Sequence, residues 1–440
     1  MSDLEDADAR LTRALSHART GERADRQPVH TVYGGAHLFR ADTAPRLGAR
    51  ALEALDRYAP DAPTLANALG TDAHAEAVWE RARAKLHREP VEDFRIDFED
   101  GYGVRPDAEE DEHAESAARE VARGMAGRTL PPFIGIRVKA LTMETRARAI
   151  RTLQRFADTL LRTTGGVLPP GFVVTLPKVT VPEQTELLAL LLERLEAEHG
   201  IAAGTLRIEL MVETPEALFD DEGRAALPGL VRGGRGRVVA AHFGAYDYTA
   251  ALGITAAHQH LRHPACDWAR HAMQVSLAGS GVRWSDGATT LLPVAPHRGE
   301  LSADQDAENQ AAVYRGWRVH HDDVRHGLAS GFYQGWDLHP AQLVSRYAAV
   351  YGFFLEGVDA AGERLRNFVE RAARATRVGS AFDDAATGQG LLNFFLRAVG
   401  CGAIAEEDAL ARTSLTSAEL RMRSFSSIVR AREGRAESGG

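Results

Sequence analysis

The sequence predicts an α/β protein, a closed (β/α)8 TIM barrel with a helical insertion after strand 1 and a helical C-terminal extension. Three observations predict it. The chain has 440 residues, enough for one large barrel with additions. Short β-type runs alternate with amphipathic helical stretches, which is typical of a parallel sheet built from βα units. Eight such runs occur, and eight is the number that closes a barrel.

Turn or polar residues follow each of the eight predicted strands. The strands are expected at residues 29–33, 94–98, 133–138, 172–176, 206–212, 238–243, 289–294 and 331–338. Because the carboxyl ends of all barrel strands lie on one face, the polar residues after these runs should converge there.

The domain organisation follows from the same pattern. A polar segment at 1–27 with helical character precedes a catalytic barrel at 28–350, which contains the insertion 42–92. Apolar residues at spacings of three and four predict helices at 142–162 and 182–199 within the barrel, and further helices at 361–375 and 389–399. Residues 351–430 form the helical extension, and 431–440 are expected to be disordered.

The extension carries more aromatic residues than a solvated tail should: Phe353, Phe354, Phe368, Phe394 and Phe395. We expect these helices to cap the barrel mouth, partly across a subunit boundary, where they would exclude water from the site. The alternative is that they pack on the outside of the barrel and only stabilise it.

Composition and charge exclude several classes of protein. The net charge is −9 and the 52 Lys and Arg residues are scattered, so no nucleic-acid-binding surface is predicted. No apolar run approaches the ~20 residues of a membrane span, and the acidic N-terminus is unlike a signal peptide. Two distant cysteines, Cys266 and Cys401, indicate no disulfide framework. These features predict a cytoplasmic protein.

Two carboxylates follow neighbouring predicted strands, Glu213 after strand 5 and Asp247 after strand 6. Either acid alone could be a helix cap or a loop charge. Together they are two hard oxygen ligands that leave the remaining positions to water and substrate, an arrangement that Mg2+ prefers. We therefore predict a Mg2+ or Mn2+ site formed by both residues.

Asp97, Glu99 and Asp100 place three acids at the end of strand 2, and Arg137 lies inside apolar strand 3. The acids could form a salt-bridged barrel floor or anchor metal-bound water. Arg137 could form an internal ion pair with Asp97 or Glu99, or bind a substrate carboxylate through its planar guanidinium. Both roles of Arg137 are compatible.

The chain has three lysines, and Lys139 and Lys178 lie at the ends of consecutive strands. This placement allows a Schiff-base mechanism, although Lys178 could equally be a charge partner of the acids. Gly244, like Gly34 and Gly35, would let a backbone amide approach a substrate oxygen. Four histidines also fall near strand ends, without the spacing of a zinc site: His37, His242, His297 and His339.

Six motifs in order carry a family resemblance. They are Ile96-Asp-Phe-Glu-Asp-Gly, Ile136-Arg-Val-Lys, Leu176-Pro-Lys-Val, Val212-Glu-Thr-Pro, Phe243-Gly-Ala-Tyr-Asp-Tyr and Trp336-Asp-Leu-His-Pro-Ala-Gln. This series resembles the superfamily of HpcH/HpaI aldolases, citrate lyase β-subunits and malyl-CoA lyases. The resemblance implies a TIM barrel, a divalent metal and reversible carbon–carbon bond cleavage through an enolate.

The resemblance also implies roles for individual residues. Glu213 and Asp247 match the metal ligands, and Arg137 matches the arginine that binds the substrate carboxylate or carbonyl. Glu99 and Asp100 match acids near the metal-bound waters. Three further positions complete the candidate site: Lys178 as a catalytic residue, with Gly244 and Ala245 at the substrate. The implied substrate is a small carboxylate, either a 2-oxo acid or an acyl-CoA thioester, and the implied assembly is a homotrimer or homohexamer.

Cleavage of a carbon–carbon bond beside a carbonyl leaves an enolate, whose negative oxygen needs a metal or a protonated imine. The predicted function is therefore a Mg2+-dependent lyase or aldolase. Two alternatives stay open from sequence: a Schiff-base aldolase that uses Lys178 or Lys139, and a degenerate barrel with a binding or regulatory role. The intact set of acids with Arg137 argues against the second.

Overall fold

The computed structural model describes residues 26–377 and 385–438, together with residues 6 and 8. Most of the polar segment expected at 1–27 therefore lies outside the described residues. No helix among the described residues is long and apolar enough to cross a membrane. Cys266 and Cys401 are both buried free thiols, as their separation in the sequence predicted.

Eight parallel strands form a nearly closed barrel, which confirms the predicted fold. The strands follow one another around the barrel in the order β7-β6-β5-β4-β3-β2-β1-β8. A parallel bridge between Ala288 and Trp336, and the bond from Asp286 N to Gln334 O at 2.8 Å, join the segment after β7 to β8. The strands are β1 (His30–Gly35), β2 (Asp93–Asp97), β3 (Phe133–Arg137), β4 (Val173–Leu176), β5 (Arg207–Val212), β6 (Val238–Phe243), β7 (Arg283–Ser285) and β8 (Gly335–Asp337).

The prediction for strand 7 is wrong. Residues 289–294 form a loop, in which Leu291 and Val294 are each about 40% exposed. The strand is the three-residue β7, which pairs with β6 through Arg283, Trp284 and Ser285. Such a short segment with an arginine and a serine has no apolar run, so neighbouring strands rather than local sequence specify it. β8 is likewise shorter than the predicted 331–338.

Helices connect the strands on the outside of the barrel. The insertion after β1 contains three of them, and the prediction for 182–199 agrees with the observed α6, which begins at a proline and ends before Gly200 in a left-handed conformation. The helices are α1 (Thr43–Tyr58), α2 (Ala62–Leu69), α3 (Ala75–Arg88), α4 (Asp107–Gly127), α5 (Arg146–Thr164), α6 (Pro182–His199), α7 (Pro215–Leu218), α8 (Leu227–Gly233), α9 (Ala245–Ala251), α10 (Pro264–Leu277) and α11 (Ala303–Ala329).

The barrel interior is polar at its centre. The alternation in β2 sends Phe94 and Ile96 outward into the apolar layer, and sends Arg95 inward. Arg95 binds the buried Glu209 of β5 through two bonds of 3.0 and 3.1 Å, and also pairs with Asp93. Buried charges are tolerated because they compensate one another. This ion cluster forms a rigid base beneath the carboxyl ends of the strands.

In the described residues after β8, 338–377 and 385–438, five helices occur, and they do not cap the mouth of their own barrel. They are α12 (Gln342–Arg377), α13 (Ala385–Cys401), α14 (Glu406–Thr413), α15 (Ser417–Met422) and α16 (Phe425–Ser438). The predicted boundary between residues 350 and 351 falls inside α12. The last helix continues to Ser438, so the backbone of 431–438 is helical, which differs from the expected disordered tail.

Contacts of the extension lie at the amino end of the barrel. Phe354 of α12 stacks on Tyr333, which precedes β8, at 6.2 Å between ring centroids, and it also contacts Phe394 of α13. Arg397 lies 3.7 Å above the same Tyr333 ring. α12 runs back from the carboxyl end of β8, as every barrel helix does, and so carries the later helices away from the mouth. The expected lid is therefore wrong for this chain's own barrel.

Candidate active site

Arg137 ends β3 beside Asp97, the last residue of β2. Its guanidinium binds that carboxylate twice, from Nε to Oδ1 at 2.7 Å and from Nη2 to Oδ2 at 2.5 Å. Both side chains are buried, so each charge stabilises the other. The internal ion pair is therefore present. It occupies the two-pronged edge of the guanidinium that we had expected to bind a substrate carboxylate.

The third guanidinium nitrogen, Nη1 of Arg137, points toward the loop after β2. It lies 3.2 Å from Glu99 Oε2 and 3.8 Å from Asp100 Oδ2, yet it is a buried nitrogen with no hydrogen bond to the described residues. The rings of Tyr33 and Trp336 lie 4.9 and 5.7 Å from the guanidinium carbon. Nη1 is thus ion-paired with Glu99 but not hydrogen-bonded, so it is well placed to donate to an added oxygen.

Asp97 also shapes the loop that carries the other acids. Its carboxylate accepts hydrogen bonds from Glu99 N at 3.0 Å and Gly101 N at 2.8 Å. A Cβ atom at position 101 would lie 2.6 Å from Asp97 Oδ2, so this close approach requires glycine. Asp97 thus holds the loop in place, while Glu99 faces the barrel and Asp100 stays exposed, as the alternation predicted.

Lys178 joins the acids that follow three different strands. Its backbone N–H donates to Glu213 Oε1 at 2.7 Å, from a left-handed conformation with φ of 50°. Its ammonium binds Glu99 and lies 3.2 Å from Asp100 Oδ2 and 3.4 Å from Asp247 Oδ2. Non-glycine residues adopt this backbone conformation at a cost, and such strain concentrates at functional sites. Lys178 is the charge partner of the acids.

The protonation of Lys178 weighs against its use in Schiff-base chemistry, which needs a neutral amine. Burial disfavours the charge of Lys178, but the hydrogen bond to Glu99 and the charge of Glu213 outweigh it and raise the pKa of the ammonium above its usual value. Lys139 points away from the site. Its ammonium lies 2.8 Å from Glu110 on α4, outside the barrel wall.

Glu213 and Asp247 both contact Lys178, Glu213 through the backbone amide and Asp247 through the ammonium. Glu213 is 2% exposed, whereas Asp247, in the first turn of α9, is half exposed. Burial raises the pKa of Glu213 to about 7; the charges of Lys178 and Arg137 oppose the rise, and Asp247 adds to it. Lys178 and Arg137 therefore compensate the buried charge of Glu213 only in part, and this favours a further cation nearby.

The donor set fits a hard divalent cation. Two carboxylates from neighbouring strands are the protein ligands that Mg2+ commonly takes, with water and substrate filling the other positions. The described residues contain no group of three or more His, Cys, Asp and Glu side chains arranged around a metal position. Glu213 and Asp247 are the two carboxylates that would hold such a cation.

Gly244 and Ala245 support Glu213. The amide of Gly244, which we had expected to face a substrate, donates instead to the Val212 carbonyl at 2.9 Å, so that expectation is wrong. A Cβ atom at position 244 would lie 2.5 Å from the Cβ of Glu213. Glycine is needed here to make room for the buried carboxylate, and Ala245 begins α9, which carries Asp247.

Tyr33 and His242 form the floor of the site, and sequence reasoning did not select Tyr33. The Tyr33 hydroxyl lies 3.0 Å from His242 Nδ1, and His242 Nε2 donates to the Asp286 carbonyl at 3.0 Å. Burial lowers the pKa of His242 to about 4, despite the opposing charge of Glu209. The neutral ring accepts a hydrogen bond from the Tyr33 hydroxyl at Nδ1. The inward alternation of β1 could have identified Tyr33.

The other three candidate histidines contribute less to this cluster. His37 contacts Tyr102 at 5.6 Å between ring centroids, in the loops beside β1 and β2. His297 pairs with Glu308 at 2.5 Å on an exposed surface. His339 Nδ1 accepts a hydrogen bond from the backbone amide two residues later. Of the four histidines, only His242 contacts Tyr33 and Trp336, the two rings that lie against the Arg137 guanidinium.

The fold is similar to that of a solved citrate lyase. A citrate lyase from Burkholderia xenovorans LB400 is 18% identical, with a TM-score of 0.52 over 89% of this chain and 100% of that chain. A malate synthase from Haloferax volcanii, solved with pyruvate and acetyl-CoA, is 17% identical, with a TM-score of 0.45 over 74% of this chain and 71% of that chain. The CitE protein of Mycobacterium tuberculosis, solved with magnesium and acetoacetate, is 15% identical, with a TM-score of 0.39 over 74% and 91%.

The similarity to the Burkholderia structure confirms, at the level of the fold, the resemblance seen in the six sequence motifs. No curated protein matches the chain. The sequence profile of the family described as Domain of unknown function (DUF6986) matches residues 4–428. This match includes the barrel, the insertion after β1 and nearly all of the C-terminal helices. The chain therefore belongs to this family.

Proposed function

We propose that this protein is a divalent-metal-dependent lyase or aldolase that breaks or forms a carbon–carbon bond next to the carbonyl of a small carboxylate. One observation carries the proposal. Glu213 and Asp247 meet around Lys178, beside the unbonded Nη1 of Arg137. Two hard oxygen ligands next to a fixed cationic donor suit a carboxylate substrate that becomes an enolate.

The proposed role of each residue follows from its charge. When bound, Mg2+ or Mn2+ would supply the positive charge that an enolate oxygen needs. Nη1 of Arg137 donates to the substrate carboxylate or carbonyl, while Asp97 holds the guanidinium still. Lys178 keeps Glu99 and Asp100 in position, and these acids orient water near the metal ligands. Preorganised groups of this kind need little rearrangement during the reaction.

The Schiff-base alternative loses support because Lys178 is held charged and Lys139 faces α4. A purely regulatory barrel would have no need for a buried glutamate, a strained lysine backbone and an unbonded arginine nitrogen in one place. The name of the Burkholderia protein, citrate lyase, fits the proposed reaction class. A 2-oxo acid or an acyl-CoA is the proposed substrate. A cytoplasmic homotrimer or homohexamer stays a prediction, and sedimentation measures the assembly.

Calorimetric titration with Mg2+ tests the metal site directly. Glu213→Gln and Asp247→Asn should each abolish or strongly weaken binding, because each removes a hard anionic ligand while keeping the side-chain shape. Glu216→Gln is the matched control, since Glu216 is exposed and lies three residues from Glu213. Unchanged Mg2+ affinity in both site variants would place the metal elsewhere.

Turnover separates the remaining alternatives. The full chain is assayed with Mg2+ on a panel of hydroxyacids and acyl-CoA thioesters, and the released 2-oxo acid or acid is measured. In parallel, pyruvate and borohydride are added and peptides are mapped for a labelled lysine. Metal-dependent cleavage without labelling supports the proposal. Labelling of Lys178 or Lys139 would establish the Schiff-base mechanism, and no turnover on the whole panel would favour the regulatory barrel.

A further inference from the structure

Trp336 belongs to the floor of the candidate active site. It is the middle residue of β8, and its side chain lies in the barrel interior. Its ring centroid is 4.5 Å from that of Tyr33 and 5.4 Å from that of His242. The guanidinium carbon of Arg137 lies 5.7 Å from the same ring. The indole therefore lies beside the group that is proposed to bind the substrate.

The indole N–H of Trp336 is buried and has no hydrogen bond to the described residues. A buried tryptophan N–H usually finds an acceptor, because a buried donor without one costs free energy. Trp79, Trp284 and Trp317 each donate to a backbone carbonyl, at 3.0, 3.0 and 2.7 Å. Trp268 is 52% exposed. Among the five tryptophans, all of which the structure describes, Trp336 is thus the exception, and packing of the fold does not explain its donor.

Arg137 supplies a second donor of the same kind in the same cluster. Its Nη1 is buried and has no hydrogen bond, although Glu99 is an ion-pair partner at 3.2 Å. The other polar groups of the floor are already paired, because the Tyr33 hydroxyl bonds to His242 Nδ1, and His242 Nε2 bonds to the Asp286 carbonyl. Two N–H groups, one from β3 and one from β8, are therefore available above this floor.

The surroundings of the two donors can accept a negative charge. The floor is neutral, because burial lowers the pKa of His242 to about 4 and raises the pKa of Tyr33 well above its usual value. Glu99, which lies beside Nη1, is bound by the ammonium of Lys178. An added anion at this position would meet two N–H donors over neutral aromatic rings, and hydrogen bonds to an ionised acceptor are the stronger kind.

We propose, on the basis of the function proposed above, that Trp336 binds the substrate carboxylate: its indole N–H donates to one oxygen, and Arg137 Nη1 donates to the other. Asp97 occupies the two-pronged edge of the guanidinium, so Arg137 offers a substrate one donor instead of two. Trp336 supplies the second. A carboxylate held at both oxygens has a fixed plane, which orients the neighbouring carbonyl for reaction.

A purely structural role for Trp336 makes a different demand on the side chain. If the ring only packed against the guanidinium, its aromatic face would be sufficient, and phenylalanine would serve nearly as well. Trp336→Phe therefore separates the two roles, because it keeps an aromatic ring in β8 and removes only the N–H donor and part of the ring.

The indole N–H signals in nuclear magnetic resonance test the proposal in the intact wild-type chain. Tryptophan that is isotope-labelled at the indole nitrogen gives five signals, and each is assigned by replacing one tryptophan with phenylalanine. Mg2+ is added first and pyruvate second. We expect pyruvate to move the Trp336 signal to higher frequency, because its N–H then donates to a carboxylate, while the Trp268 signal stays in place.

Calorimetric titration with pyruvate in the presence of Mg2+ measures the contribution of the donor. Trp336→Phe should raise the Kd for pyruvate by about tenfold or more, because one hydrogen bond to a charged group is lost. Its affinity for Mg2+ alone should equal that of wild type. Trp268→Phe is the matched control on the exposed face of α10, and it should bind pyruvate as wild type does.

The possible results distinguish the role of Trp336 from the proposed function. Pyruvate binding of equal strength in wild type and Trp336→Phe, or a Trp336 signal that does not move at saturation, would refute the role of Trp336 and leave the carboxylate site standing. Binding of Mg2+ without binding of millimolar pyruvate to wild type would overturn the carboxylate site and the role of Trp336 in it. Absence of binding by both would overturn the proposed function as well.

Discussion

His242 should make the stability of the protein depend on pH in a window that the structure sets. The ring is fully buried in β6, where it accepts from Tyr33 and donates to the Asp286 carbonyl. Protonation would place a second N–H at Nδ1 and a charge in the barrel interior. Burial therefore lowers the pKa of His242 from 6.5 to about 4. The folded state prefers the neutral ring.

The direction and size of this pH effect on stability follow from the difference in proton binding between the folded and the unfolded chain. Above pH 6.5 the ring is neutral in both the folded and the unfolded chain, and its full contribution is present. As the pH falls from 6.5 to about 4, the unfolded chain takes up a proton that the folded chain does not, and stability is lost. The difference corresponds to roughly 3 kcal/mol, at ~1.4 kcal/mol per pH unit.

The comparison of wild type with His242→Gln isolates this effect. Glutamine keeps an amide that can donate and accept but does not titrate. Free energies of unfolding are measured in urea at several pH values between 7.5 and 4. The variant is less stable at pH 7.5, and we expect the gap to narrow by about 3 kcal/mol at pH 4. His271→Gln, an exposed histidine on α10, should follow the wild-type curve. Parallel curves for wild type and His242→Gln would refute the reasoning.

Three further predictions concern other parts of the molecule. Arg137→Lys keeps the charge but loses one of the two bonds to Asp97, so the free energy of unfolding in urea should fall by roughly 1.5 to 3 kcal/mol. Substrate binding should also weaken. An unchanged kcat/KM would count against a substrate role for Arg137. Gly244→Ala places a methyl group 2.5 Å from the Cβ of Glu213, so the free energy of unfolding should fall by about 1 to 3 kcal/mol. The displaced Glu213 should also bind Mg2+ more weakly in calorimetry. Unaltered Mg2+ affinity would contradict the role of Gly244 in supporting Glu213. A chain that ends at Glu356 exposes Phe354 and Tyr351, which pack on α13 in the full chain. It should therefore aggregate, which size-exclusion chromatography detects. A soluble chain with a normal melting curve would show that the extension is dispensable.

Much of the fold can be predicted from local pattern. Alternation in β2 and β3 and the proline at the start of α6 are strong signals, and they agree with the structure. β7 could not be predicted, because Arg283, Trp284 and Ser285 become a strand only through pairing with β6. The direction of the C-terminal helices was also hidden, since aromatic content shows that they pack but not on which end of the barrel.

The site shows the same division. The residue types after the strands of a parallel barrel already place Glu99, Asp100, Lys178, Glu213 and Asp247 on one face, and the structure brings these five together. The partners of the three guanidinium nitrogens of Arg137 could not be predicted. Two bind Asp97 and one does not, and this depends on the register between β2 and β3.

The sequence by itself determined the barrel, the end of it where charge collects and the chemical types available there, because period-two alternation and strand-end polarity are local properties. Only the tertiary structure decided which donors are already used. The Gly244 amide donates to the Val212 carbonyl, Nε and Nη2 of Arg137 bind Asp97, and Nη1 lies beside Glu99 without a hydrogen bond. A cavity at the amino end of the barrel is lined by residues about 400 positions apart, Arg26 and Arg423. Such arrangements depend on which distant segments are packed together, and no local pattern of residues records that.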